Sequence, residues 1–561
     1  MVPVMATLAL SACGGSGGGG GNNGGGDNNP PPAASVTISG KITFDRIAFK
    51  ASGSGLDASN PVESPAREVT VEALDGSNSA VLATTITDDA GNYSVTVPGS
   101  RSVKIRAKAE MVKTGSAPTW TFRVRNNTNS NALYALDGEA ASSGTGNSTR
   151  NLRATSGWGT TSYTGTRAAA PFAILDTAYA AKQLVLDAAP ATAFPPLDLF
   201  WSTTNKDVID TSGNVLLCTS DGQIGTTFYT PEATDAGNCT DHGPLGAGIY
   251  VLGDFASGSG DTDEFDQHVI AHEFGHYVED TFSRSDSIGG SHFPSDDLDT
   301  RVAFGEGWGN AYSGMVLNDP QYRDSNSGIT GITGFNLETD SGNDGWYSEF
   351  SVQEILWDLF DSVNDGADTI SLGFAPIYSA MTGAQKTTDA FATIYTFADA
   401  LRVANPTQTA SINALLTGEN IATTDIWGSA ETNNGGSTTS LPIYSDLTPN
   451  QPPIYVCGSG TDSDRNKLGY RRYLKLNLAT AATLTIKATG AADPSVAGSQ
   501  AAEDPDIAIY QRGRLEQLSQ ETGASEMIAQ QAFTAGMHLV EVYDYTLGSV
   551  PHCMTVSAVS N

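Results

Sequence analysis

Positive charge is what this 561-residue chain has least of: 29 Lys+Arg stand against 62 Asp+Glu, a formal net charge of −33. A polyanion is bound by clustered Lys and Arg, so nucleic acid is excluded as a partner, and an anionic membrane surface is disfavoured for the same reason. Long apolar runs are also missing. No stretch reaches the length of about 18 apolar residues that spans a bilayer. The most apolar one, near 168–190, carries Asp176, Lys182 and Asp187 and reads as a soluble helix. Cysteine is scarce, with five, and no two have the Cys-x-x-Cys spacing of a zinc ribbon. What is present is 39% hydrophobic, enough for real cores, with 61 Gly and many Ser, Thr and Asn. That composition belongs to β-rich modules with long loops. At roughly 150 residues per domain the length predicts three or four domains.

The chain begins MVPVMATLALSAC. Leu10-Ser11-Ala12-Cys13 resembles a bacterial lipobox, in which small residues admit the signal peptidase and the thiol takes the lipid. Residues 14–29 are almost pure Gly and Asn and lead into Pro30-Pro31-Pro32. Such a segment cannot bury a core and behaves as a tether. No basic residue precedes Lys41, so the expected signal is partial and its true start lies upstream. Gly14 rather than Asp after the cysteine implies outer-membrane sorting. The expectation is an extracytoplasmic protein, an outer-membrane lipoprotein or secreted, that meets the membrane only through a lipid on Cys13. In an oxidising compartment the other cysteines read as two disulfides, Cys218–Cys239 and Cys457–Cys553. Buried free thiols are the alternative.

Residues 35–110 alternate in short bursts, Val36-Thr37-Ile38, Val69-Thr70-Val71, Tyr93 to Val97 and Val103-Lys104-Ile105, separated by turn signals such as Asp89-Ala90-Gly91-Asn92. This predicts a small antiparallel β-sandwich. Its order, SGKITF, AREVTVEAL, TDDAGNYSVTVP, resembles the carboxypeptidase-regulatory-like domain. From Pro171 the spacing turns helical. Gly248 to Gly253 reads as a short strand, followed by an acidic loop and a long helix from about Thr262 to Arg284, with more helices near 300–318, 346–363, 388–404 and 410–418. After the linker Thr448 to Pro453 the pattern returns to strands at 473–478, 483–486, 507–510 and 538–542, a second β-sandwich. Its runs LKLNLATAATLTIKATG, DPDIAIYQRG and AGMHLVEVYDY resemble the bacterial pre-peptidase C-terminal domain.

The chemistry centres on His272-Glu273-Phe274-Gly275-His276. Histidines at i and i+4 share a helix face, about 6 Å apart along the axis, and two imidazoles so placed can hold one zinc at about 2.1 Å each. Glu273 points beside the metal, where it can take a proton from bound water and pass it to the leaving amine. A hydrolytic zinc needs a third protein ligand and an open position. His268 lies about 12 Å from His276 along the axis, too far to share the ion. A third histidine of the metzincin kind is absent, since positions 279 and 282 are Glu279 and Phe282. His292 is a candidate in a Gly/Ser-rich loop without a supporting pattern. Glu306 is the best candidate: it opens a helix in Phe304-Gly305-Glu306-Gly307-Trp308-Gly309-Asn310, thirty residues beyond His276.

HEFGH followed by GEGWGNAYSG resembles a gluzincin metallopeptidase of the thermolysin-like group, and the GEGW run and the helix from Glu349 to Leu359 are similar to fungalysin-type secreted peptidases. The resemblance, over about 171–420, implies a zinc endopeptidase acting on proteins or peptides, a two-lobed domain with Zn2+ at the cleft floor, and a strand, here Ile249 to Leu252, that holds substrate backbone. The family usually has Asp where this chain has Asn310, beside the first histidine; an amide makes that imidazole less basic. The oxyanion is usually steadied by a His or Tyr, for which Tyr347 and Tyr312 are candidates. The acidic clusters Asp261, Asp263, Glu264, Asp266 and Asp296, Asp297, Asp299 are candidate Ca2+ sites.

The expected architecture is therefore multidomain α+β. It runs from a partial lipoprotein signal (1–12) through a Gly/Asn/Pro tether (13–35) to a carboxypeptidase-regulatory-like β-sandwich (36–115). A two-lobed zinc metallopeptidase domain with a mostly helical C-terminal lobe (116–446) and a pre-peptidase C-terminal-like β-sandwich (447–561) follow. The rival reading is a surface adhesion or scaffold lipoprotein whose peptidase domain is inactive or only processes the chain itself.

Overall fold

The computed structural model describes residues 34–209, 217–232, 246–255, 260–339, 342–363, 369–460, 465–546, 548 and 550–560. They form a multidomain, mixed α/β chain with several β-sheets and seven α-helices among the described residues. The helices are α1 (Ala170–Ala188), α2 (Gln267–Phe282), α3 (Thr300–Leu317), α4 (Glu349–Phe360), α5 (Phe374–Ala380), α6 (Ile394–Ala404) and α7 (Thr409–Gly418). None of the described helices is long and apolar enough to cross a membrane. Cys13 and its tether lie outside the described residues.

The strand Ser35–Arg46 pairs antiparallel with Asn92–Pro98, with Ile38 opposite Val95. Tyr93, Val95 and Val97 point inward while their neighbours face solvent, the period-2 pattern of a half-buried strand. The second sheet is larger. Its strands run in the order Phe228–Thr230, Gly248–Val251, Leu197–Trp201, Trp120–Asn126, Ser102–Lys113, Val69–Asp75, Val81–Ile86. Glu110 to Lys113 pair with Trp120 to Arg123. The sheet thus continues through the expected boundary at 115/116, and one apolar cluster extends from Val36 across the middle of the chain.

α1 lies on this sheet, and its charges are paired with the N-terminal strands. Asp176 takes Arg46 and Arg67. Lys182, fully buried, meets Glu68 and sits 3.8 Å over the Trp120 ring. An unpaired buried ammonium would cost several kcal/mol, so this helix face depends on the N-terminal strands.

α2 begins at Gln267, later than the expected Thr262. The acidic residues before it are engaged in tertiary contacts: Glu264 is ion-paired with Arg167, and Asp266 accepts from the backbone and side chain of Ser325. α2, α3 and α4 pack side by side, and the glycines of the GEGWG run set the spacing. A Cβ on Gly307 would fall 2.5 Å from Val352 Cβ of α4, and one on Gly309 would fall 2.7 Å from the His272 ring. Trp308 closes the same junction, its indole N–H donating to Gly275 O at 2.8 Å.

After residue 440 the chain forms two five-stranded sheets. The apolar residues between them include Leu474, Ile509 and Val540 from one sheet and Leu484, Ile486 and Val556 from the other. Cys457 and Cys553 sit opposite each other on paired strands and are joined as a disulfide. Cys218 is also disulfide-bonded, while Cys239 lies outside the described residues. Tyr444, Leu468, Tyr473 and Leu539 face the helical lobe and belong to its core.

Candidate metal centre

α2 presents His272 and His276 one turn apart, and their Nε2 atoms lie 3.0 Å from each other. α3 crosses beside them and brings in Glu306, whose Oε2 is 3.2 Å from His272 Nε2 and 3.4 Å from His276 Nε2. The ligand atoms of these three residues all fall within 4.8 Å of one another. Four ligands at about 2.1 Å in a tetrahedron are separated by about 3.4 Å. Two imidazole nitrogens and one carboxylate oxygen at 3.0–3.4 Å therefore fit a single Zn2+ with one position left open.

Asn310, one turn beyond Glu306 on α3, places Oδ1 2.9 Å from His272 Nδ1. With that oxygen accepting, Nδ1 carries the ring proton and Nε2 keeps its lone pair toward the cluster. Tyr322 stands edge-on to the same imidazole, ring centres 6.3 Å apart. His268 is outside the cluster: its Nδ1 is 3.1 Å from Ser313 Oγ.

Glu273 is buried, and burial raises its carboxyl above the ordinary range, against the opposing pull of His272 and His276. Its Oε2 accepts from the backbone N–H of Tyr229 at 2.8 Å. Tyr229 also donates its hydroxyl to Asp280 at 3.0 Å, so its short strand is fastened along α2. This locates the short strand beside Glu273. The strand expected to hold substrate, Ile249 to Leu252, is covered on both edges at Ile249 and Tyr250, which pair with Leu199 and Phe200 on one side and with Tyr229 and Phe228 on the other. Among the described residues, Phe228–Thr230 is the outermost strand on that side.

His292, the other candidate third ligand, lies beside the cluster of His272, His276 and Glu306 rather than in it. Its Nε2 contacts Glu306 Oε2 at 3.2 Å, and its Nδ1 lies 2.8 Å from Glu349 Oε2 at the start of α4. Its side chain is 30% exposed against 10% for His272 and Glu306, so it borders the open side of the cluster. Tyr312 and Tyr347 have committed hydroxyls. Tyr312 donates to Ala181 O of α1 at 2.8 Å, and Tyr347 donates to Asn433 Oδ1 at 3.0 Å and Asp344 O at 3.3 Å. Both pack as aromatics between elements. Nothing in the local spacing marked His292, Glu349 or Tyr229, because each reaches the site through tertiary packing.

The two acidic clusters differ. Asp296 and Asp299 are neutralised by Lys467 and Arg301. Asp261, Asp263 and Asp324 instead converge, with ligand oxygens within 4.8 Å of one another. Among the described residues, buried Asp263 has no hydrogen-bond partner for Oδ1, and Asp324 has none for its Oδ1. Burial, with the charge of Glu264 nearby, pushes Asp261 up to about 6, and burial, with the charge of Asp261, pushes Asp324 up to about 7. A dication would relieve that repulsion.

Residues 257–417 match the family model described as the Mycolysin C-terminal domain. The matched stretch contains His272, Glu273, His276 and Glu306, and runs from the acidic loop before α2 to the end of α7. This part of the chain is similar to a peptidase-associated domain. No curated protein matches. Among solved structures, the chain is similar to the pre-peptidase C-terminal domain of a Bacillus anthracis collagenase, at 14% identity over 20% of this chain and 93% of that one, TM-score 0.15. It is similar to a 9R-lipoxygenase from Cyanothece at 11% identity over 28% of this chain and 24% of that one, TM-score 0.14. It is also similar to the periplasmic lysozyme inhibitor PliG of Aeromonas hydrophila, at 15% identity over 20% and 98%, TM-score 0.12. Scores this low carry no argument about the fold.

Proposed function

We propose that the chain is a zinc-dependent endopeptidase of the thermolysin-like kind, acting outside the cytoplasm on protein or peptide substrates. The observation that carries the reading is the convergence of His272, His276 and Glu306 at 3.0–3.4 Å, with the carboxyl of Glu273 beside them. Zn2+ held by these three residues would polarise the scissile carbonyl and bring the pKa of a bound water to about 7. Glu273, buried and with a raised pKa, accepts the proton of the attacking water and delivers it to the departing amine. The Tyr229 N–H fixes one carboxyl oxygen and leaves the other for the water. The strand Phe228–Thr230, at the sheet edge beside Glu273, holds the substrate backbone as an added strand. Once Zn2+ draws on Glu306 Oε2, the His292 Nε2 that contacts that oxygen would be released to offer an N–H to charge building on the carbonyl oxygen, with Glu349 holding Nδ1, whereas the hydroxyls of Tyr312 and Tyr347 stay committed elsewhere.

The unpartnered oxygens of Asp263 and Asp324 support a Ca2+ at the second cluster. Lipidation of Cys13 would hold the enzyme at the cell surface on its glycine tether.

The deciding experiment is digestion of casein by the purified chain, with and without a zinc chelator, beside the Glu273→Gln variant. Chelator-sensitive cleavage that the variant lacks supports the peptidase. A chain that binds zinc but cuts only itself supports the self-processing alternative, and one that cuts nothing supports the scaffold.

A further inference from the structure

The loop that carries His292, Ser287-Ile288-Gly289-Gly290-Ser291-His292, has no helix or strand of its own. Two of its backbone carbonyls, those of Gly289 and Ser291, are satisfied from another part of the chain. Asn466, in the loop between strands Ile454–Gly458 and Arg472–Leu478 of the C-terminal sandwich, is buried and donates its side-chain amide to Gly289 O at 3.0 Å and Ser291 O at 3.1 Å. Lys467 Nζ donates to the same Ser291 O at 2.7 Å. Gly290 is seated directly on the Asn466 amide at a φ of +102°, where an added Cβ would fall 2.8 Å from Nδ2.

The same C-terminal segment is fastened to the start of α3. Asp299 N donates to Asn466 O at 2.8 Å, and Leu468 N donates to Asp297 O at 2.9 Å. Asp299 caps α3 by accepting from Arg301 N, and Arg301 runs on to Glu541 of the sandwich at 2.8 Å. Arg301 and Glu541 are both buried, and Arg471 closes the network on Glu541. The frame that sets the height of Glu306 on α3 and the frame that aims His292 are therefore built from one surface of the C-terminal sandwich.

We propose that the C-terminal sandwich is a working part of the active site, with Asn466 as the positioning residue that aims His292 at the reacting carbonyl. This rests on the zinc-peptidase reading. It adds that a residue 160 positions beyond Glu306, in a module of its own, sets the rate of the reaction.

The test uses the full chain carrying Asn466→Ala, which keeps the backbone bond to Asp299 and removes the two amide donors to the loop together with the Oδ1 that accepts from Lys467 Nζ at 3.0 Å. Three quantities are read: amide hydrogen exchange over 286–298, zinc per chain, and kcat and KM on a peptide. Exchange in the loop is expected to rise while zinc stays at the wild-type level, and kcat is expected to fall roughly tenfold with KM little changed. The double variant Asn466→Ala/His292→Ala is expected to be no slower than His292→Ala alone, because the amide acts through the imidazole. Unchanged loop exchange, unchanged kcat, or losses that multiply in the double variant would overturn the proposal. If the wild-type chain neither holds zinc nor cleaves peptides, the peptidase reading fails on its own, and loop exchange still reports whether Asn466 holds the His292 segment.

Discussion

Asn310→Asp restores a charge where the thermolysin-like pattern has one, and the structure says what that charge would do. Asn310 is 4% exposed and lies 2.9 Å from His272 Nδ1. A neutral hydrogen bond contributes about 1 kcal/mol net, and one to a charged partner about 1.5–3 kcal/mol. The exchange therefore strengthens the His272 anchor by about 1 kcal/mol once a cation draws on the imidazole. A second effect acts in the same direction. Without metal, the new carboxylate is buried in contact with His272, whose other nitrogen is 3.2 Å from Glu306, and repulsion between the two acids destabilises the empty site. Zn2+ relieves both, so its affinity should rise by roughly tenfold, the equivalent of about 1.4 kcal/mol, while the metal-free protein melts earlier. The assay is competition with a chelator of known zinc affinity, repeated at falling pH. The gain should shrink toward acid as the new carboxyl is protonated. An unchanged or weaker zinc affinity in a folded variant would refute the reasoning about His272 and Asn310.

Further expectations concern single groups. Glu273→Gln should retain zinc and lower kcat by about a hundredfold or more, since the ligands remain and the base does not; metal analysis and peptide hydrolysis on the same sample check it, and wild-type turnover would dismiss Glu273 as the base. Glu306→Gln should lose most of its zinc with the fold retained, measured by metal content and circular dichroism; a fully loaded variant would remove Glu306 from the ligand set. His268 bears on acid stability. Burial pushes it down to about 4, so the folded chain holds it neutral, while the unfolded chain takes up a proton near 6.5. Above 6.5 both states are neutral. Below it the unfolded state gains, and stability falls between pH 6.5 and about 4 by about 3 kcal/mol. His268→Gln should flatten that limb in urea titrations at pH 7 and pH 4.5; an unchanged slope would show that His268 does not titrate there.

What was legible in the sequence followed from short-range rules. The i, i+4 histidines announce a helix face, and α2 carries both on one side. The alternation of Tyr93, Val95 and Val97 announces a strand with one buried face. The GEGWG run could be read as helical and carrying Glu306, but the helix starts earlier than expected from that run, at Thr300 behind the Asp299 cap, and the reason for its glycines is visible only where the His272 ring and Val352 press against them. The rest depended on partners distant in sequence. Trp120–Asn126 looks like any amphipathic strand until Leu197–Trp201 is seen beside it, about seventy residues on. His292 stands in a loop with no periodicity, and its position comes from Glu306, Glu349 and, through its loop, Asn466. The charges of α1 mark a soluble helix in the sequence but do not reveal their partners, because Glu68, Arg46 and Arg67, which neutralise Lys182 and Asp176, stand more than a hundred residues before them.

The sheet that runs from Val69–Asp75 to the strand beside Glu273 also sets an order of events for the newborn chain. Synthesis delivers Val69–Asp75 and Val81–Ile86 first and then Ser102–Lys113 and Trp120–Asn126, and each pair can form a hairpin at once. The far side of Trp120–Asn126 then waits for Leu197–Trp201, and that strand waits in turn for Gly248–Val251. At a synthesis rate of about 5–20 residues per second, the unpaired edge stays open for several seconds at least. An open, apolar strand edge is the feature most prone to pair with a neighbouring chain. Crowded polysomes should therefore yield aggregates seeded by Phe122 and Val124, and slowing translation between residues 130 and 250 should worsen the yield.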